Sequence, residues 1–265
     1  MSSGIVTLLS DFGTRDGYVG ALKGVILARF PAARLVDLAH ELAAGDVAAA
    51  SAVLAQSAPF FPAGTVHVAI VDPGVGTARR GVAIGVGGQL YVGPDNGIFT
   101  AVLHSTGPVV AHALEKRRLW REPVSPVFHG RDVFAPVAAH LAGGGLLADL
   151  GPALAPESLV RLPAREPVPE PDGLRGEVVH VDRFGNLITN LRAPGPESAG
   201  AATVLVADRE LALARTYGDA APGELLALVG SSGRIEIAVN GGSAAAVLSC
   251  SVGLVVILRA PRESA

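Results

Sequence analysis

Residues 65–71 read Thr-Val-His-Val-Ala-Ile-Val, an apolar run dominated by β-branched side chains. Such a run fits a strand buried on both faces, as in the interior of a parallel sheet. The chain then passes directly into Asp72-Pro73-Gly74-Val75-Gly76-Thr77-Ala78-Arg79-Arg80, a glycine-rich turn bearing one carboxylate and two guanidinium groups. In open α/β sheets, ligands bind just beyond the carboxyl ends of the strands. An isolated turn of this composition is equally common as a solvated surface loop. Here it has company. Ser10-Asp11-Phe12-Gly13, Pro94-Asp95-Asn96-Gly97 and Phe128-His129-Gly130-Arg131-Asp132 recur in the same half of the chain, each at an expected element boundary.

The surrounding pattern predicts alternating strands and helices over residues 1–143. Strands are expected at 5–9, 34–38 and 65–71, and helices at 16–30, 46–57, 96–103 and 130–141. A hairpin is expected over 81–92, turning at Gly87-Gly88. Within 16–30, Tyr18, Leu22, Val25, Ile26 and Phe30 share one side, and Asp46 stands near the N-cap of the next helix. This alternation implies the α/β class: a mostly parallel sheet with flanking helices, in an N-terminal domain of residues 1–150. The proline-rich stretch 151–173 is expected to be an extended linker. Beyond it, in 174–265, short strands at 176–181, 187–191, 202–206, 224–229, 234–239 and 251–258 alternate with Gly/Asn/Ser turns. That pattern points to a small β-barrel-like domain.

Composition narrows the partners. With 49% hydrophobic and 17% charged residues in 265, the chain can bury a core in each domain. A net charge of -3 without basic runs argues against a nucleic-acid partner. Cys250 is the single cysteine, which excludes an internal disulfide. The apolar run at 5–9 is short and has no basic region before it. Neither a signal peptide nor a membrane span is expected, and the expected location is cytoplasmic.

Several side chains carry chemistry. Asp11 directly follows the first strand, where a carboxylate can accept hydrogen bonds from the two hydroxyls of a ribose; a helix cap or turn is the plainer alternative. Neither G-x-G-x-x-G nor G-x-x-x-x-G-K-[ST] is present, which disfavours dinucleotide cofactors and ATP hydrolysis. Asp72 and Arg79 flank Gly74-Val75-Gly76, and such a turn can fold the guanidinium back onto the carboxylate. With His129 at a helix start, they could orient and deprotonate a water. A metal site built from Asp11, Asp72, His129 and Asp132 is the weaker option, because H-x-H, H-E-x-x-H and paired-cysteine spacings are missing. In the second half, Phe184 could stack on a flat base and Asn186 could read an amide-like edge, unless the segment is only an Asx/Gly hairpin. Gly230-Ser231-Ser232-Gly233 offers hydroxyls and backbone N–H groups suited to a carboxylate.

The segments LLSDFGTRDGYVGALKG, AIVDPGVGTARR, VGPDNGIFT, FHGRDVFAP, VDRFGNLITNL and SSGRIEIAVNGGSA span almost the whole chain. In this order they resemble the S-adenosylmethionine hydrolase family, also called SAM hydroxide adenosyltransferases, relatives of the fluorinating and chlorinating enzymes. The resemblance implies hydrolysis of S-adenosyl-L-methionine to adenosine and L-methionine, with no cofactor and no metal. It also implies a homotrimer with sites at subunit interfaces. By motif, it gives Asp72, Arg79 and His129 the catalytic roles and Asp11 the ribose hydroxyls. Asn96 joins the substrate-binding set, Phe184 and Asn186 fall at adenine-side positions, and Asp182 and Ser231 fall at the methionine end. Ser232 departs from the fluorinating relatives, which carry an arginine there, so the resemblance leaves the mode of carboxylate binding open.

Those relatives also place a tyrosine where Asp72 stands and a serine where Gly130 stands. A carboxylate about 4 Å from an incoming halide, at an effective dielectric near ~20, costs on the order of 4 kcal/mol. The resemblance therefore implies water as nucleophile; a chlorinase-type halogenase and a non-catalytic adenosine- or SAM-binding module are the alternatives. The proton acceptor stays open. A neighbouring arginine weakens Asp72 as a base, histidine ordinarily titrates near about 6.5, and Arg79 could instead stabilise a bound hydroxide.

Overall fold

The computed structural model describes residues 2–193 and 202–259, so residues 194–201 and 260–265 of the expected second domain lie outside the described residues. The chain divides into two compact units, Met1–Pro163 and Ala164–Ala265. The proline-rich stretch 151–173 is shared between them: Leu159 is buried in the first, and residues 168–170 pair as a strand in the second.

In the first unit, β1 (Ile5–Ser10), β2 (Arg34–Ala39), β3 (Val66–Ile70), β4 (Gly81–Val86), β5 (Gln89–Pro94), β6 (Val110–Ala113) and β7 (Ala153–Leu154) form one sheet in the order β2-β1-β3-β5-β4-β6-β7. The pairs β2–β1, β1–β3 and β3–β5 are parallel. The remaining strands extend that parallel half antiparallel. The direction reverses because β4 and β5 form a tight hairpin whose Gly87 and Gly88 both take positive φ, +59° and +77°, as a twisted two-residue turn requires. Strand alternation sends Val6, Leu8, Val66, Val68 and Ile70 to one face and Leu9, Ala69 and Val71 to the other. The first face packs on α1 (Tyr18–Arg29) and α3 (Ala135–Ala142), through Leu22, Ile26 and Val137. The second packs on α2 (Val47–Ser57), through Ala50 and Leu54. Asp46 caps α2 by accepting the Ala49 N–H at 2.9 Å.

Three expectations change. Residues 96–103 form no α-helix but a run of turns ending in a short 3-10 turn, Val102–His104, because Gly97 sits at φ +98° and Asn96 turns its side chain onto the backbone. The helix expected at 130–141 opens with a wide π-turn, Gly130–Phe134, before α3. The last strand begins at Val255 rather than 251, because Gly253 at φ +95° turns the chain first. Strand β6 escaped the sequence reading because Val-Ala-His-Ala is weak in strand formers and is recruited by pairing.

The second unit contains β8 (Val168–Glu170), β9 (Gly173–Val181), β10 (Leu187–Arg192), β11 (Thr203–Val206), β12 (Arg209–Ala214), β13 (Leu225–Val229), β14 (Arg234–Val239), α4 (Ala244–Val247) and β15 (Val255–Arg259). Strands β9-β10-β14-β13-β12-β11-β15 close on themselves through the β10–β9 pairing, a seven-stranded barrel with β8 added outside it. Val178, Leu187, Val204, Ile235, Ile237 and Val256 fill its interior. Among the described residues, no helix is long and apolar enough to cross a membrane.

One core group makes stability depend on pH. His67 on β3 is fully buried, stacked on Tyr91 at 5.1 Å, with Nδ1 2.7 Å from Thr7 Oγ1. Burial pushes its pKa down to about 4, against a weaker upward pull from Gln89. The folded value lies below the unfolded one, so the unfolded chain takes up the proton first. The stability from neutral His67 is present in full above pH 6.5 and is lost as pH falls through about 4. Chemical denaturation should show a loss on the order of 3 kcal/mol across that window, and His67→Gln should flatten it. Parallel pH profiles for the two proteins would refute this.

Candidate active site

The buried end of β3 delivers Val71 and then Asp72, and the turn that follows folds back on itself. Val75 N–H donates to the Asp72 carbonyl, and both the N–H and the hydroxyl of Thr77 donate to the Gly74 carbonyl. Gly76 takes φ +76°, and a Cβ there would lie 2.3 Å from the Pro126 carbonyl oxygen. Only glycine allows this turn to nest under the loop before His129. The fold-back returns Arg79 to Asp72: its Nε lies 2.9 and 3.0 Å from the two carboxylate oxygens, and its Nη2 donates to Oδ2. Both side chains are largely buried, and the guanidinium also lies 5.2 Å over the Phe134 ring.

The same Nη2 lies 3.0 Å from His129 Nδ1. A guanidinium only donates, so Nδ1 accepts and the ring proton of neutral His129 resides on Nε2. Burial pushes the His129 pKa below the ordinary histidine value, and the Arg79 charge adds to this; Asp72 and Asp132 pull the other way. His129 stands at the entrance of the π-turn, whose Gly130 approaches Ile70 and Leu22 so closely that a Cβ would sit at 3.1 and 3.3 Å from them.

Asp132 fixes this turn. Its fully buried carboxylate accepts from Arg131, from Arg121 and from the Ser125 N–H at 2.8 Å. Burial opposes its ionisation, but these donors outweigh it and hold the carboxyl below the ordinary aspartate range. With its oxygens so engaged, Asp132 is a clamp on the 121–125 loop rather than a free ligand. Asn96 is similarly spent: Nδ2 donates to the Val71 carbonyl at 2.8 Å, and Oδ1 accepts from the Ile98 N–H. It tethers the residue before Asp72.

Asp11, Phe12, Gly45, Asp72, Phe128 and His129 line a cavity of about 230 Å³ within the first unit. Asp11 Oδ2 accepts the Gly45 N–H at 2.9 Å, which leaves Oδ1 for a further donor. On the other side of the Arg79–His129 contact, Thr77, Arg79, Arg80, Glu115, Trp120 and His129 line a second cavity of about 250 Å³. His129 borders both. Arg80 had no assigned role from sequence; it pairs with buried Asp95 and donates to the Ser158 carbonyl, while Asp95 also accepts the Val160 N–H. Its position beside Arg79 and the Asp95-Asn96 dipeptide was the available signal.

In the second unit, Asp182 organises a hairpin. Its Oδ1 accepts from the Phe184 and Asn186 N–H groups, and its Oδ2 accepts Asn186 Nδ2 at 2.9 Å. Asn186 is buried by this, whereas the Phe184 ring is 75% exposed. Ser231 is exposed in the turn between β13 and β14, where Arg192 donates to the Ser232 carbonyl. Glu236 on β14 lies against Gly230, and its carboxyl is pushed up by burial and then by the Asp182 charge.

The Arg79–His129 contact makes a direct prediction. The ¹⁵N spectrum should show His129 neutral at pH 7 with the proton on Nε2, and Arg79→Met should raise its titration point. A charged His129 in the wild type, or a fall on removing Arg79, would contradict the geometry.

Residues 6–151 match the SAM hydroxide adenosyltransferase N-terminal domain, and residues 176–257 match the corresponding C-terminal domain. The chain is 46% identical over 250 residues to the (R)-S-adenosyl-L-methionine hydrolase of Salinispora tropica, covering 94% of this chain and 95% of that one. It is 44% identical over 261 residues to the Thermus thermophilus protein of the same name, covering 96% and 98%. A fluorinase of an Actinoplanes species is more distant, at 29% over 286 residues, covering 95% and 96%. Among solved structures, a Thermotoga maritima protein superposes with a TM-score of 0.88 at 38% identity, covering 96% of this chain and 99% of that one. The chain belongs to the SAM hydroxide adenosyltransferase family.

Proposed function

We propose that this protein hydrolyses S-adenosyl-L-methionine to adenosine and L-methionine, by attack of water at ribose C5′. The observation that carries the reading is the Asp72–Arg79–His129 chain bordering a cavity that also contains Asp11. The names of the relatives at 44–47% identity support the same substrate. The water oxygen bonds to C5′ as the C5′–S bond breaks, and the bonding pair leaves with sulfur. Because the sulfonium departs as a neutral thioether, no acid is needed to protonate it. Catalysis is then mostly placement of the water in line with the breaking bond, an effect worth about 7–11 kcal/mol in favourable cases.

Asp72 orients the water and takes its proton. Arg79 donates twice to Oδ2 but only once to Oδ1, so Oδ1 keeps a lone pair for the water. His129 is the poorer acceptor, because its one free lone pair faces Arg79. A weak base suffices, since the attacking oxygen becomes strongly acidic only as it bonds to carbon. The pairing with Arg79 also shields Asp72, so charge repulsion against a halide is smaller than an unpaired carboxylate would give. Water keeps its advantage for another reason: it offers the carboxylate a hydrogen, and a halide offers none.

Asp11 holds the ribose hydroxyls, and Asn96 supports binding through the Val71 carbonyl. Phe184 and Asn186 serve the adenine, and Asp182 and Ser231 the methionine end. In this reading the working form is a cytoplasmic homotrimer with sites at subunit interfaces, and it needs no cofactor.

The test is incubation of pure protein with S-adenosyl-L-methionine in ¹⁸O-water, with chloride and chelator varied. Adenosine labelled at the 5′-oxygen, indifferent to both additives, is the expected product; a 5′-chloro nucleoside or unchanged substrate would sink the reading. Asp72→Asn should lower kcat by about 10²–10⁴-fold at little-changed KM, the range for loss of a general base. Asp11→Ala should chiefly raise KM.

A further inference from the structure

Beside Asp11 lies a serine–histidine–aspartate chain that the proposed chemistry leaves unused. Ser10 closes β1 and is 1% exposed; His40, just after β2, is 5% exposed. Ser10 Oγ lies 2.7 Å from His40 Nδ1. His40 Nε2 lies 3.1 Å from Asp37 Oδ1, off the line of an ideal hydrogen bond but within reach of its charge. Lys23 Nζ donates to Asp37 Oδ2 at 2.6 Å. At the other end, the Phe12 N–H donates to Ser10 Oγ at 3.3 Å, and the Gly13 N–H donates to the His40 carbonyl at 2.8 Å.

The donors order themselves along this chain. Asp37 attracts the Nε2 hydrogen, which leaves Nδ1 as the acceptor for the Ser10 hydroxyl. The Ser10 oxygen is then free to accept the Phe12 N–H. Ser10 is no nucleophile here: it is buried away from the cavity solvent, and its oxygen is already engaged by the Phe12 N–H. What the chain does instead is fix the backbone on the carboxyl side of Asp11, from both the side chain and the carbonyl of His40. Among the described residues, Asp11 itself is pinned only through one oxygen, by the Gly45 N–H. A carboxylate that must meet two neighbouring hydroxyls tolerates displacement of only about 0.5 Å.

We propose that Ser10 and His40 are positioning residues for ribose recognition, holding the Asp11 turn so that its carboxylate meets the diol. This rests on the reading of Asp11 as the ribose-holding group.

The experiment is equilibrium binding of adenosine and of 2′,3′-dideoxyadenosine to the intact protein and to Ser10→Ala, His40→Leu, His40→Asn and Asp11→Ala. The wild type should prefer adenosine. Ser10→Ala removes one buried oxygen and should reduce that preference about five- to tenfold, the equivalent of one buried hydrogen bond, with dideoxyadenosine affinity unchanged. His40→Leu should act likewise, and His40→Asn should restore most of the preference, since its amide oxygen can accept the Ser10 hydroxyl. If Ser10→Ala keeps the wild-type preference, or weakens both ligands equally, the positioning role is overturned while the Asp11 reading stands. If Asp11→Ala keeps the preference, the Asp11 reading itself fails.

Discussion

The buried pairing of Arg79 with Asp72 is the interaction on which the rest of the site depends. Removing two charges from water is expensive, and the mutual attraction repays it only when geometry is good and the remaining donors are used. Here the fork of Arg79 meets both carboxylate oxygens, its face lies on Phe134, and its spare hydrogen goes to His129. That last bond decides which histidine nitrogen carries the proton. Asp72, Arg79 and His129 therefore behave as one unit: removing the centre would leave a buried carboxylate unpaired and a ring free to turn.

Such a unit needs rigid support, and the first domain supplies it from several directions. Asn96 ties the carbonyl before Asp72, Gly76 lets the turn slip beneath Pro126, and Asp132 clamps the loop that precedes His129 with two arginines. Arg80 and Asp95 fasten the chain near Ser158 alongside. None of these groups has to touch a ligand to matter. They hold Asp72 and Arg79 beside the ends of β3 and β4, where placement is more reproducible than on a free loop.

The second unit uses its polar residues in another way. Asp182 gives most of its acceptor capacity to its own hairpin, shaping the Phe184–Asn186 turn and keeping one lone pair on Oδ2. That turn leaves the Phe184 ring in solvent, 75% exposed. Buried Glu236 beside Asp182 adds a second carboxyl whose charged form is disfavoured.

Local chemistry was legible in the amino-acid order. The buried β3 run and its Asp-Pro-Gly turn, the Gly87-Gly88 hairpin, the Asp46 cap and the barrel-forming rhythm of short strands all follow from turn preference and periodicity within a few residues. The fold-back of Arg79 onto Asp72 was foreseeable for the same reason. Contacts across long separations were not legible. Periodicity misled at 96–103, where a left-handed Gly97 packed near Leu162 overrides helix formation. It missed β6 and β12, which become strands only because neighbours offer them an edge. Nor could spacing tell that Asn96 spends its amide on Val71, that Asp132 is taken by two arginines, or that His129 presents Nδ1 to Arg79. Each of these depends on which unsatisfied donor the folded chain brings within 3 Å or so of which acceptor. Residue types carry that possibility, and only packing chooses among the partners.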